Sequence, residues 1–253
     1  MNYNEGNLKE AEVIEALNEK AISSLDNNMK TLVRNLFGVL DESIVLKCYK
    51  VDDANKTDFV IEYGERKKNI SMKSGRAEVV HNEILMNFIG FLSKLGISEE
   101  TLKTIMLFHY GDGTIDGTGE VRKPYRDVVN ELGSRIAEAN AELNCNNEII
   151  LKVVERCVFK GSSPENIEAD AIYFGNKYYG TIATKSQIYK HIRRRSFDYY
   201  DNLHIGPLLI RPDARYVDRD ITYERKRNRI VAYWPNLSAD VEYIANRYDY
   251  DYK

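Results

Sequence analysis

Three cysteines, Cys48, Cys145 and Cys157, are all that this 253-residue chain contains. They are odd in number and far apart, and no CxxC or mixed Cys/His spacing accompanies them, which excludes a disulfide framework and a thiolate zinc site. They read as reduced and structural. No apolar run approaches the roughly 18 residues that a membrane span requires. The N-terminal stretch is acidic and polar, without a charged start leading into an apolar segment. No membrane association is therefore expected, and the expected location is cytoplasmic. A general excess of positive charge is also missing, the net charge being -3. No linker-like stretch divides the chain, which predicts one domain over residues 1–253.

What is present supports a folded protein. With 43% hydrophobic residues the chain can bury a sizeable core. Apolar residues recur at helical spacing from Leu8 to Lys20 and from Ser24 to Phe37. Short β-branched runs follow at Ser43–Tyr49, Asp58–Tyr63 and Asn69–Lys73, the last two joined by a turn-like GERKK to form a hairpin. An apolar stretch from about Ala77 to Leu95, closed by Gly96, predicts a long helix. Helices are predicted again near Glu99–His109, Pro124–Leu143, Asn147–Phe159, Lys185–Arg195 and Ala239–Tyr248. Strands are predicted at Ala169–Phe174, Tyr178–Ala183, Ile205–Ile210 and Arg229–Trp234. The pattern is that of an α/β protein, a mixed sheet flanked by helices.

The chemistry concentrates between Lys56 and Glu83. Alternate strand residues share a face, so Ser71 and Lys73 point together while Ile70 and Met72 point to the core. Asp58 opens the antiparallel partner strand, and the hairpin brings its carboxylate toward Lys73. Glu83 falls at the start of the predicted helix, where an acid among apolar neighbours needs a reason beyond complementing the helix dipole. Hard cations such as Mg²⁺ take oxygen ligands, one or two carboxylates with water and phosphate oxygens. Asp58, Glu83 and the backbone carbonyl of Met72 could supply these, with Lys73 orienting the attacking water and stabilising charge on phosphorus. Glu62 and Glu78 compete for the carboxylate role. His81 could serve as a base, and Asp112 and Asp116 of the glycine-rich YGDGTIDGTGE could contact a cation, although their spacing fits no EF-hand.

Helix, strand, Asp-bearing strand, strand with Ser-x-Lys and then helix resembles the core of the PD-(D/E)XK nuclease superfamily, in particular type II restriction endonucleases. The likeness covers about Glu12 to Leu95. Two positions depart from the common motif: Ser71 stands where an acid is usual two residues before the lysine, and Thr57 stands where proline often precedes the aspartate. Some members take the missing carboxylate from the next helix, and this chain looks like that variant, with Glu83 as the relocated ligand. The resemblance implies catalytic roles for Asp58, Lys73, Glu83 and Ser71, with metal at Asp58, Glu83 and Met72. Glu15 or Glu19 of the first helix is a further acid that such a site could recruit. It implies Mg²⁺-dependent, site-specific hydrolysis of double-stranded DNA by a homodimer, one active site for each strand.

DNA recognition is then expected in residues 110–253, with catalysis in about 8–110. From Lys185 to Arg229 twelve Lys/Arg face six Asp/Glu, a local excess of positive charge on an acidic chain. Arg193, Arg194, Arg195, Arg211, Arg215, Arg225 and Arg227, together with Arg76, are the candidate DNA contacts, since arginine grips phosphate or pairs bidentately with guanine. Two alternatives compete with this reading. One is a DNA-binding protein that kept the nuclease fold but lost catalysis. The other places the function on the second predicted hairpin, with Asp170 and Lys185.

Overall fold

The computed structural model describes residues 3–51, 56–75, 78–119, 122–199, 202–213 and 226–248. The chain forms two compact units interleaved in sequence: the first comprises Met1–Ala77, Val158–Arg194 and Asn236–Lys253, the second Glu78–Cys157 and Arg195–Pro235.

The first unit opens with α1 (Tyr3–Leu17) and α2 (Asn27–Phe37), followed by β1 (Lys47–Lys50), β2 (Phe59–Tyr63) and β3 (Arg66–Lys73). Later segments add β5 (Ala171–Gly175), β6 (Gly180–Thr184), α7 (Lys185–Ile192) and α8 (Leu237–Arg247). Its sheet runs β1-β2-β3-β5-β6, antiparallel except for the parallel β3–β5 pair. The mixed sheet flanked by helices is the one expected from the sequence. Val13 and Leu17 of α1 and Met29, Val33 and Leu36 of α2 pack on Phe59, Ile61, Ile70, Ala171 and Tyr173, forming one buried cluster. Removing such side chains from water is the main stabilising contribution. Asp26 caps α2 by accepting the Met29 N–H at 2.8 Å. Gly64, with φ of +60°, makes the tight β2–β3 turn that pairs Tyr63 with Arg66, so β3 begins three residues earlier than the NISMK run suggests.

The second unit holds β4 (Val79–Ile84), α3 (Leu85–Lys94), α4 (Glu99–Tyr110), α5 (Tyr125–Asn144), α6 (Asn147–Val154), β7 (His204–Ile205), β8 (Leu208–Pro212) and β9 (Arg229–Tyr233). Its antiparallel sheet runs β4-β9-β8-β7. The helix expected over Ala77–Leu95 is corrected here: VVHNEI forms strand β4, and helix begins only at Leu85. Burial alternates along it, His81 and Glu83 inward and Asn82 and Ile84 outward, which is the period of a strand, and pairing with β9 satisfies its backbone. Among the described residues no helix is long and apolar enough to cross a membrane.

Candidate active site

Asp58 stands one residue before β2 and is pinned through its backbone on both sides. Its N–H donates to the Ile70 carbonyl at 2.8 Å, and its carbonyl accepts from Val51 N at 3.0 Å. The side chain turns toward the C-terminal end of β3. There Asp58 Oδ2 accepts the Met72 N–H at 2.5 Å and the Ser71 hydroxyl at 3.3 Å, and lies 3.7 Å from Lys73 Nζ. Lys73 Nζ also donates to the Met72 carbonyl at 3.0 Å. Ser71 is buried, while the side chains of Asp58 and Lys73 remain about a quarter exposed. Asp58, Ser71, Met72 and Lys73 are thus brought together as the sequence implied, an acid and an ammonium held by adjacent strands and open to solvent.

The donors suit a hard cation. Among the described residues, Asp58 Oδ1 makes no hydrogen bond, and Lys73 Nζ links Asp58 Oδ2 to the Met72 carbonyl. No group of three or more His, Cys, Asp or Glu side chains converges among the described residues. One carboxylate and one carbonyl would require water and substrate phosphate to complete a coordination sphere, which is how Mg²⁺ is ordinarily held at phosphate sites.

Glu83 lies in the second unit, on strand β4 rather than at a helix start. It is 3% exposed, and both its carboxylate oxygens are engaged. Arg156 donates to it from Nε at 2.8 Å and from Nη2 at 2.6 Å, and His81 Nε2 approaches Oε1 at 2.9 Å. Burial alone would raise the pKa of this carboxyl, but the hydrogen bonds and charges of Arg156 and His81 outweigh it and hold the group below its ordinary value. Arg156 lies in a π-helical turn, Glu155–Lys160, after α6, and its guanidinium covers the Phe91 ring. The sequence reading missed this clasp. Its signal was an acid at i and a histidine at i−2 in an otherwise apolar run.

Of the other candidate acids, Glu15, Glu19 and Glu78 are exposed, and three have local partners. Glu62 accepts from the Tyr49 hydroxyl at 2.9 Å; Asp112 holds Thr114 and Arg227; Asp116 holds Thr118. The alternative hairpin divides its acid and its lysine between separate partners. Asp170 Oδ2 accepts the Asn69 N–H at 2.8 Å, while Lys185 Nζ pairs with Glu168. Both residues line a cavity of about 440 Å³ with Lys68, Lys190 and Arg193. Lys68 shares the face of Ile70, opposite Ser71 and Lys73, so the cavity is separate from the Asp58 site.

Of the arginines, Arg193, Arg194 and Arg195 are exposed just past α7, which ends at Ile192. Arg194 lies over Tyr248 and Arg195 over Phe197. Arg211 donates to Asn202 at 3.1 Å and covers Tyr233. Arg227 pairs with Asp112 and the Gly117 carbonyl, fastening the glycine-rich loop. Arg76, Arg215 and Arg225 lie outside the described residues.

No protein-family model and no characterised protein sequence matches the chain. A solved structure does: that of restriction endonuclease MspI in complex with its cognate DNA, at a TM-score of 0.51 and 15% sequence identity, covering 90% of this chain and 88% of that one. The fold is restriction-endonuclease-like. At 15% identity the likeness speaks for the fold, and the chemistry of this chain is argued from its own residues.

Proposed function

We propose that this protein is a Mg²⁺-dependent endonuclease that hydrolyses duplex DNA at a specific sequence, as type II restriction enzymes do. The convergence of Asp58, Ser71, Met72 and Lys73 at the end of β3, within a restriction-endonuclease-like fold, carries the reading. Asp58 and the Met72 carbonyl would hold the cation, which when bound lowers the pKa of water and polarises phosphate. Lys73 orients the attacking water and offsets charge that builds on the phosphate oxygens. Ser71 fixes Asp58 through its hydroxyl. The first unit then carries the cleavage chemistry, and recognition draws on the second. The arginines past α7 grip backbone phosphate. A homodimer working in the cytoplasm would supply one site for each strand and leave 5′-phosphate ends.

A second reading, a DNA-binding protein that kept the fold without the chemistry, is favoured by one observation: no acid stands at Ser71, and Glu83 is already clasped by Arg156. Incubating the purified protein with phage DNA and Mg²⁺ separates the two. Discrete fragments support the endonuclease, whereas DNA bound but left intact supports the second reading.

A further inference from the structure

The second sheet presents a face that none of the site chemistry uses. Register places Asn82 and Ile84 of β4, Arg229, Val231 and Tyr233 of β9, and Leu209 and Arg211 of β8 on one side, where Val231 and Leu209 are buried and the accessible part is the β4 edge with Arg229. His81, Glu83, Ile210 and Ala232 occupy the opposite, buried side. On the first side Asn82 is exposed on the edge strand and its amide is held at both ends. Its oxygen accepts from Arg229 Nε, and its nitrogen donates to Asp213 Oδ2 at 3.1 Å. Arg229 also reaches the Asn82 backbone carbonyl at 3.3 Å. Ile84, paired across from Arg229, is 46% exposed.

We propose that this face, centred on Asn82 and Arg229, reads base edges in the DNA major groove. The inference rests on the endonuclease reading and names where that enzyme's sequence specificity resides. An amide clamped by one donor and one acceptor retains one lone pair and one N–H. Those are the two valences that adenine N7 and N6–H require of an asparagine. Arg229 is of the type that pairs with guanine, and the exposed Ile84 beside it suits a thymine methyl. Strands also hold such groups more rigidly than loops do. Neighbouring strands lie about 4.8 Å apart, so the β4–β9 edge fits a major groove about 12 Å wide. Arg229 and Asp213 keep the amide in one orientation before DNA arrives, so little ordering is needed on binding.

The test is selection of bound sequences from a randomised duplex pool with Ca²⁺ in place of Mg²⁺, for the wild type and for Asn82→Ala and Arg229→Lys. The expected result is a defined enriched sequence for the wild type. In the variants discrimination should fall by about tenfold or more at one or more positions, while affinity for unrelated duplex is retained. Ile84→Ala, read in the same selection, stands in should either variant fail to fold. Variants that enrich the wild-type sequence unchanged overturn the inference and leave the endonuclease reading intact. A wild type that enriches no sequence, or binds no duplex, overturns both.

Discussion

Lys73 Nζ lies 3.7 Å from Asp58 Oδ2 while donating to the carbonyl of Met72, so a single ammonium faces both oxygen donors of the candidate cation site. In that position it balances the Asp58 carboxylate before substrate arrives and would face a phosphate afterwards. Lys73→Ala should lower DNA cleavage roughly 10²–10³-fold, the loss seen when one group that stabilises transition-state charge is removed. Asp58→Asn should do the same. Both variants should bind duplex with near wild-type affinity in a gel-shift assay, since neither supplies the arginine contacts. Wild-type cleavage by Lys73→Ala would remove Lys73 from the mechanism.

Ser71 is buried on the strand between Ile70 and Met72, and its hydroxyl reaches the same Asp58 oxygen as the Met72 N–H. It orients the aspartate and brings no charge. Ser71→Ala should therefore cost on the order of tenfold in cleavage, less than Lys73→Ala, because a hydrogen bond to a charged acceptor contributes about 1.5–3 kcal/mol, this one is long at 3.3 Å, and the Met72 N–H still holds the same oxygen. Ser71→Asp puts a second carboxylate beside Asp58, and the Mg²⁺ concentration that gives half-maximal cleavage should fall. A rise in that concentration would mean that the serine position does not face the cation.

The β2–β3 hairpin could be read from its residues, because FVIEY and NISMK carry the β-branched character of strands and a glycine marks the turn. Asp58, Ser71 and Lys73 were legible for the same reason: their positions follow from period-two alternation across one local ladder. Glu83 was not. Its strand partner is β9, some 150 residues further on, and VVHNEI runs without a break into the apolar helix α3, so the residue pattern shows no boundary between strand and helix. Nothing local to VVHNEI announces that Ile230 and Val231 will lie opposite it, or that Arg156 will fill the space beside the carboxylate. The same holds for Asn82, whose significance comes from Arg229 and Asp213.

The clasp of Glu83 separates a structural role from a metal-binding one. Its side chain is 2% exposed and that of Arg156 is 16% exposed, so Glu83→Gln leaves a largely buried guanidinium without its counter-charge, at a cost of about 3–5 kcal/mol. The urea midpoint should drop, and the Mg²⁺ dependence of cleavage by the remaining folded protein should not change. The folded-state pKa of Glu83 is depressed from 4.5, so its stabilisation is present above that value and is lost as pH falls through the lower folded value. Wild-type stability should accordingly decline more steeply below pH 4.5 than that of Glu83→Gln. An unchanged urea midpoint with a raised Mg²⁺ requirement would instead make Glu83 a metal ligand.

His109 gives a second acid response at a higher pH. Its Nε2 approaches the Arg227 carbonyl at 2.7 Å; because a carbonyl only accepts, the proton sits on Nε2. Among the described residues Nδ1 is buried without a hydrogen-bond partner, so a second proton there would find no acceptor among them. Burial, joined by the nearby Arg122 guanidinium, pushes the pKa from 6.5 down to about 4, against the weaker opposing effect of the Arg227 carbonyl. The folded state holds the ring neutral while the unfolded chain protonates near 6.5. Its contribution is complete above that pH and is lost progressively as pH falls from 6.5 toward 4. Stability measured by urea unfolding should fall on the order of 2 kcal/mol between pH 7 and pH 5. His109→Gln, which keeps an N–H for Arg227 but cannot titrate, should show a clearly shallower slope over that interval, the remainder coming from His204, whose pKa burial also lowers. A variant with the wild-type slope would place the titrating group elsewhere.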